Sequence, residues 1–369
     1  MTKRIILIVG ARPNFMKAAP LLKQLQLHSD KFEASLIHTG QHYDYELSQL
    51  FFEQLKMKPP DIFLGVGSGS HAYQTAQIMM RLEELLIEKK PDLVIVFGDV
   101  NSTMAGAIVA AKLCIGVAHV EAGLRSFDNT MPEEINRIVT DRLSQYLFVT
   151  EASGKRNLMH EGVPDENIYL VGNIMIDSLI NSLSPADGSD ILDRLGLRPG
   201  EYATLTLHRP SNVDDKSVLE DLLIVLGKVG MKTPVVFPCH PRTMKNLTEF
   251  GLSGKYNKDA LRIIEPLGYL DFLKLQKESR FVLTDSGGIQ EETTYLGIPC
   301  LTLRNNTERP VTVEAGSNTV TAIDPAKIYE AIDQILDGSY KSGTAPELWD
   351  GNTAERIVNI IIKELCDIS

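Results

Sequence analysis

The chain has 369 residues, enough for two domains of ordinary size, each with its own core, which sets aside a peptide-sized module. Apolar residues make up 43% and charged residues 23%, the mix of an ordinary globular protein. The net charge of -11 excludes broad electrostatic attraction to nucleic acid or to an anionic membrane surface, so an anionic ligand must be held by local basic groups. The apolar run 5–9 ends at Gly10 and is too short for the core of a signal peptide, and no stretch of ~18 apolar residues is available to span a bilayer. Cys114, Cys239, Cys300 and Cys366 form no C-x-x-C pair and read as reduced structural thiols. A cytoplasmic location is expected.

Along the chain, short β-branched runs alternate with longer amphipathic stretches, the pattern of a parallel sheet covered by helices on both faces. Residues 5–9 and 93–97 are apolar throughout, as strands buried on both faces require. Between them Ile78, Leu82, Leu85 and Leu86 recur at helical spacing, and Pro91 closes the segment. Further strands are expected at 34–38, 117–120, 146–149 and 168–171. After Gly172 and Asn173 the pattern restarts through a polar stretch, which places a domain boundary near residue 172. The second set of strands is expected at 203–207, 235–237, 262–264, 281–284 and 300–303. The expected fold class is therefore α/β, with two Rossmann-like doubly wound domains, 1–172 and 173–352, and an interdomain cleft. The C-terminal segment 353–369 is expected to cap the first domain. Ligands of such sheets bind beyond the carboxyl ends of the strands.

Candidate site residues cluster at those ends. Gly10 to Lys17 joins the first strand to the first helix; free backbone N–H groups there, with Arg12 and Lys17, favour a phosphate, the alternative being an ordinary turn with solvated cations. The segment is not G-x-G-x-x-G, so no nicotinamide or flavin cofactor is expected. Asp99 follows the strand 93–97 and either caps the next helix or takes part in chemistry. Glu121 ends a buried apolar strand, where an acid is costly unless paired or functional. Glu133 and Glu134 follow Pro132 at a helix start, where they complement the dipole or meet a ligand, and Arg137 is placed to pair with Glu133 or with a ligand.

In the second domain, His208 and Arg209 stand just past a strand end, where a histidine either donates to a phosphate, works as acid or base near neutrality, or is an ordinary loop residue. Ser286, Gly287 and Gly288 follow the strand 281–284. Residues without Cβ admit a close ligand, and the helix N-terminus behind them suits a diphosphate. Ile289, Thr293 and Leu296 read as the buried stripe of that helix. Glu292 then lies near its open end, where it accepts hydrogen bonds from ribose hydroxyls or merely complements the dipole. His119 and Glu121 form H-x-E, but Pro299-Cys300 lacks the second cysteine of a zinc deaminase, and Gly40 between His38 and His42 argues against a helix presenting both. No metal is expected, and neither a G-x-S-x-G elbow nor a P-loop is present.

The segments GARPNFMK, HTGQHYD, FGDVNSTMAGA, HVEAGLRSFD, MPEEINR, VGN, LHRP, CHPR, TDSGGIQEE and NNTERP stand in the order found in the non-hydrolysing UDP-N-acetylglucosamine 2-epimerases, which the chain resembles through nearly its whole length. The resemblance implies a glycosyltransferase-B-like fold, a homodimer, a UDP-sugar substrate and no cofactor. It implies interconversion of UDP-GlcNAc and UDP-ManNAc for surface polysaccharide synthesis, through elimination of UDP to an enzyme-bound 2-acetamidoglucal and its re-addition. Asp99, Glu121 and Glu133 match the catalytic acids, with His208 beside them. Arg12, Lys17, Arg137, His208, Ser286, Gly287 and Gly288 match positions that stabilise the leaving diphosphate. Glu292 matches the ribose ligand and Arg309 a further substrate contact, and Arg209, next to His208 past its strand end, is expected to bind substrate with them.

Pro210, Ser211 and Asn212 stand where many members carry Arg-Glu. A related sugar, UDP-2,3-diacetamido-2,3-dideoxy-glucuronate, is the alternative substrate, and a hydrolysing epimerase or a UDP-sugar glycosyltransferase the alternative reaction. Gln41, His42 and His240 match a motif through which some members are activated by a second UDP-GlcNAc. Ser68, Gly69 and Ser70 occupy the place of that site's arginine, so weak or absent activation is expected.

Overall fold

The computed structural model describes residues 2–41, 58–254 and 256–366; His42 and the Arg12 side chain lie outside the described residues. The chain divides into two units, Met1–Ile180 with Glu347–Ser369, and Asn181–Pro346. The division falls inside the helix Ile174–Asp187 rather than before it at residue 172. The first half of that helix is tied to the first unit by side chains. Ser178 donates to the Met16 carbonyl, and the buried Asp177 accepts from the backbone N–H groups of Thr353 (3.2 Å) and Ala354 (2.8 Å). These are the first N–H groups of the helix Thr353–Leu365, so Asp177 caps it from a distance in sequence.

The first unit holds a seven-stranded sheet of β1 (Lys3–Val9), β2 (Phe32–His38), β3 (Ile62–Phe63), β4 (Leu93–Phe97), β5 (Gly116–Ala122), β6 (Tyr146–Val149) and β7 (Ile168–Leu170). Its order is β3-β2-β1-β4-β5-β6-β7, with every pairing parallel. The second unit holds a six-stranded sheet of β8 (Ala203–Thr206), β9 (Val235–Pro238), β10 (Leu261–Ile264), β11 (Phe281–Thr284), β12 (Cys300–Thr302) and β13 (Asn318–Val320). Its order is β10-β9-β8-β11-β12-β13, again all parallel. Each sheet is doubly wound and reverses direction once, between β1 and β4 and between β8 and β11. At such a reversal neighbouring connections leave on opposite faces and open a crevice at the carboxyl ends of the strands.

The apolar runs are the strands whose side chains fill the core: β4 is fully buried along its length, as are Ile5, Leu7 and Val9 of β1. On the helix His71–Lys89 the buried face is Gln74, Ile78, Leu82 and Leu86, while Leu85 is half-buried at its edge. The short strands β3 and β13 were not expected from sequence; two or three residues carry no readable periodicity. Among the described residues no helix is long and apolar enough to cross a membrane.

At the end of β2, His38 is buried with its ring stacked between Phe15 (centroids 4.9 Å apart) and Phe63 (5.1 Å). Burial disfavours the imidazolium and lowers its pKa to about 4. The unfolded chain therefore takes up this proton near pH 6.5 and the folded chain only near pH 4. The stabilisation, about 3 kcal/mol, is complete above pH ~6.5 and is lost as pH falls to 4. Thermal unfolding followed by circular dichroism should show stability declining over that window, and His38→Asn should flatten the decline; an unchanged slope would assign the proton uptake elsewhere.

Candidate active site

In the first unit the site is assembled on the turns after β1, β4 and β5. Asn14, in the first turn of the helix Arg12–Leu27, spans two of them: its Nδ2 donates to the Phe97 carbonyl at 2.9 Å, and its Oδ1 accepts from the N–H groups of Gly10 (3.3 Å) and Ala11 (3.2 Å). Those N–H groups were expected to be free for a phosphate; they are instead occupied by a side chain of the helix they precede. Lys17, also expected to meet a phosphate, is buried against the carboxylate of Glu121 as an ion pair.

Glu121 has φ +78° at a register shift between β5 and β6, a left-handed conformation that a non-glycine residue adopts only when its surroundings enforce it. Gly98 makes the pair possible. It has φ +63°, and a Cβ there would stand 2.8 Å from Lys17 Nζ and 3.3 Å from Glu121 Oε2.

Asp99 does not cap the following helix, Asn101–Lys112, whose N-cap is Val100 with no side-chain cap. Its carboxylate pairs with Arg137, and its carbonyl accepts from Asn136 Nδ2 at 2.8 Å. Arg137 also donates to Glu134, from Nη2 at 2.6 Å and from Nε at 3.0 Å. The expected Glu133–Arg137 pairing is thus replaced by Glu134–Arg137. Glu134 turns inward because it also accepts from the N–H groups of Ser126 (3.0 Å) and Phe127 (2.9 Å), which fixes the loop between β5 and the helix Pro132–Leu143. Burial alone would raise the Glu134 carboxyl; these N–H groups and Arg137 outweigh it and hold the carboxyl below its ordinary value. Glu133 is half-buried in the first turn of the same helix.

In the second unit the turns after β8 and β11 are joined by Asp285, a fully buried residue that the sequence did not single out. It accepts from the backbone N–H groups of His208 (3.0 Å) and Arg209 (2.9 Å), from Asn212 Nδ2 (3.1 Å) and from His208 Nδ1 (3.1 Å). Burial would raise this carboxyl, but the bonds from His208 and from the backbone hold it low. The His208 side chain remains 45% exposed, so its ring is anchored on one side and open on the other. Asn212, where the family pattern departs, also donates to the Leu303 carbonyl at 3.0 Å and so joins this turn to the end of β12.

Ser286 is the N-cap of the helix Gly287–Leu296. The buried face of this helix is not the expected Ile289, Thr293, Leu296 stripe: Ile289 and Leu296 are half-buried, while Gln290, Glu291, Glu292, Thr293 and Thr294 are buried. Three residues of this polar face have partners among later segments and Tyr269. Gln290 Oε1 accepts from Thr307 (2.6 Å) and Asn318 (3.1 Å), Glu291 meets Arg309 Nε at 2.6 Å, and Glu292 accepts from the Tyr269 hydroxyl at 3.0 Å.

Arg209 (3.7 Å), Arg304 (2.8 Å) and Arg309 (3.5 Å) converge on the buried Glu308. Burial opposes ionisation of Glu308, yet Arg309, Arg304 and Arg209 drive its carboxyl far below the ordinary range. A Cβ on Gly287 would lie 2.9 Å from Glu308 Oε1, so the glycine admits this cluster to the helix N-terminus. The guanidinium groups of Arg209, Arg304 and Arg309 thus gather around Glu308 and Glu291 beside a helix N-terminus, whose N–H groups suit an anion. Gly288 follows in the first turn of the helix.

Gln41 is buried, and its Oε1 accepts from Ser102 (2.7 Å), while His240 is the N-cap of the helix Pro241–Glu249. Removing Glu134 leaves a buried guanidinium and two loop N–H groups short of an acceptor. Glu134→Ala should cost about 3 kcal/mol in chemical denaturation, and a loss under ~1 kcal/mol would contradict the role given to the pair.

The family model described as UDP-N-acetylglucosamine 2-epimerase matches residues 24–362. A UDP-N-acetylglucosamine 2-epimerase of Methanococcus maripaludis is 42% identical over 98% of this chain and 99% of its own. A UDP-2,3-diacetamido-2,3-dideoxy-D-glucuronate 2-epimerase of Pseudomonas aeruginosa is 39% identical over 89% of this chain and 91% of its own. Among solved structures, the UDP-GlcNAc 2-epimerase of Methanocaldococcus jannaschii in complex with UDP-GlcNAc and UDP has a TM-score of 0.89 at 41% identity, covering 97% of this chain and 99% of that one. The Neisseria meningitidis enzyme bound to UDP-GlcNAc has a TM-score of 0.88 at 30% identity, covering 98% of this chain and 100% of that one. The two parallel doubly wound sheets and this likeness assign the glycosyltransferase-B-like fold class. The chain belongs to the UDP-N-acetylglucosamine 2-epimerase family.

Proposed function

We propose that this isomerase interconverts UDP-GlcNAc and UDP-ManNAc by eliminating and re-adding UDP. A base removes the proton on C2 of the sugar, and its electron pair forms the C1–C2 double bond as the C1–O bond to UDP breaks. UDP then adds back to C1 while C2 takes a proton on the opposite face. A weakly acidic C–H needs a placed carboxylate, and protonation from the other face needs a second acid in a different environment. Asp99, Glu121 and Glu133 are the acids of this reading.

The observation that carries it is the buried Glu121–Lys17 pair beside Gly98, with Asp99 the next residue in the chain. The departing diphosphate is assigned to Ser286, Gly287 and Gly288 with His208, Arg209 and Arg309, and to Arg12, Lys17 and Arg137 of the first unit. Fixed donors in a site closed to water would stabilise it more than water does. Glu292 is assigned to the ribose. The same reading makes the protein a cytoplasmic homodimer serving surface polysaccharide synthesis.

A second substrate, UDP-2,3-diacetamido-2,3-dideoxy-glucuronate, is kept as the alternative by the 39% identity to the Pseudomonas aeruginosa enzyme. Incubation with each UDP-sugar, with products resolved by NMR, separates the readings. A mixture of UDP-GlcNAc and UDP-ManNAc is expected; free ManNAc with UDP would indicate hydrolysis, and conversion of only the diacetamido sugar would change the substrate. Asp99→Asn and Glu121→Gln should each lower turnover by about 100-fold or more while UDP still binds in calorimetry. Wild-type rates in either variant would remove that acid from the mechanism.

A further inference from the structure

His119 lies on β5, two residues before Glu121, and is fully buried. Its Nε2 is 2.8 Å from the carbonyl of Gly98, and its Nδ1 is 2.6 Å from Asp141 Oδ1. A carbonyl oxygen only accepts, so Nε2 carries a proton. Asp141 is also buried, and its other oxygen accepts from the Gly123 N–H at 3.1 Å and meets Arg125 Nη2 at 2.8 Å. Burial would raise the Asp141 carboxyl, but His119 and Arg125 outweigh that and hold it below its ordinary value. With the other oxygen of Asp141 occupied by the Gly123 N–H and the Arg125 guanidinium, Oδ1 is the acceptor that faces Nδ1, so Nδ1 carries a proton too.

Arg125 also donates to Glu161 at 2.7 and 2.8 Å. The Glu161 side chain is 38% exposed, so Arg125 bridges the buried Asp141 to a solvent-facing carboxylate.

This cluster touches both turns that carry the proposed acids. His119 holds the carbonyl of Gly98, the residue before Asp99. Asp141 holds the N–H of Gly123, two residues after Glu121. Gly98, Glu121 and Gly123 all have positive φ, at +63°, +78° and +77°. Glycine takes such a φ freely, but the non-glycine Glu121 holds it only under restraint, and the His119–Asp141 dyad ties down the turns on either side of it, at Gly98 after β4 and at Gly123 after β5.

We propose that His119 is a positioning residue, a buried imidazolium that donates in two directions and locks the Asp99 turn to the strand bearing Glu121. The inference rests on the reading of Asp99 and Glu121 as reacting acids. It differs from the H-x-E metal reading of the same residues, in which Nε2 would have to be unprotonated to bind an ion.

The whole enzyme labelled with 15N-histidine, studied at pH 7.5, tests the state directly, with the His119 signals assigned by through-space contacts of its ring protons to neighbouring residues and, where the variant folds, by their loss in His119→Asn. Both ring nitrogens should resonate as protonated; one unprotonated nitrogen would overturn the proposal, even if the variant failed to fold. Kinetically, His119→Asn should lower kcat on the order of 100-fold, the effect of misplacing reacting groups, with KM and UDP affinity changed less than about threefold. Asp99→Asn and Glu121→Gln are run in parallel. If they lose turnover while His119→Asn keeps wild-type kcat, or changes only KM, the positioning role fails. If they keep turnover, the reading of the acids fails instead.

Discussion

A carboxylate buried at a strand-end turn, or on the helix or loop packed against one, is costly unless a cation or several N–H groups meet it, and this requirement organises both units. In the first unit Glu121 meets Lys17, Glu134 meets Arg137 and two loop N–H groups, and Asp141 meets His119, Arg125 and Gly123. In the second, Asp285 is met by His208, Arg209 and Asn212, and Glu308 by three arginines. Each partnership joins a strand-end turn to the next turn or to the adjoining helix. The crevices of the doubly wound sheets are therefore lined by connections that are fixed to one another by charge, on a scaffold whose strands are fixed by apolar burial.

The environments of the three proposed acids differ, which acid–base chemistry on two faces of one carbon requires. Glu121 is 4% exposed and sits against an ammonium. The Asp99 side chain is one-third exposed and shares its arginine with Glu134. Glu133 is half-buried in a helical first turn. Arg137 links Asp99 to Glu134, so a ligand that draws Arg137 away from Asp99 would change the charge around that acid without moving the backbone. In the second unit the feature suited to an anion has a different origin: a helix N-terminus with three guanidinium groups gathered around Glu308, for which the missing Cβ of Gly287 leaves room.

Much of the scaffold was legible in the sequence because its signals are local. Residues 5–9 and 93–97 are unbroken apolar runs and are strands buried on both faces. The helix closed by Pro91 carries the expected Ile78, Leu82 and Leu86 face. The Ser286-Gly287-Gly288 turn stands where a strand gives way to a helix. What was illegible is pairing across sequence. Asp99 and Arg137 are 38 residues apart, Asp285 and His208 are 77 apart, and Lys17 finds Glu121 over more than a hundred positions. Spacing along a chain carries no information about such partners.

The helix Gly287–Leu296 misled the reading for a related reason. Its buried face is polar, met by Thr307 and Arg309 from a later loop and by Asn318 of β13, so apolar periodicity found Thr293 but wrongly added Ile289 and Leu296. Glu134 was passed over in favour of Glu133 because only the tertiary fold brings the N–H groups of Ser126 and Phe127 to it.

The account stands on carboxylates that break and remake a C–H bond at C2 of the bound sugar. Turnover of UDP-GlcNAc in D2O, followed by proton NMR of the recovered UDP-sugars, observes that bond. The account predicts one solvent deuterium at C2 in UDP-ManNAc, and in UDP-GlcNAc as equilibrium is reached. Epimerisation with the original hydrogen retained at C2 in both sugars would contradict it.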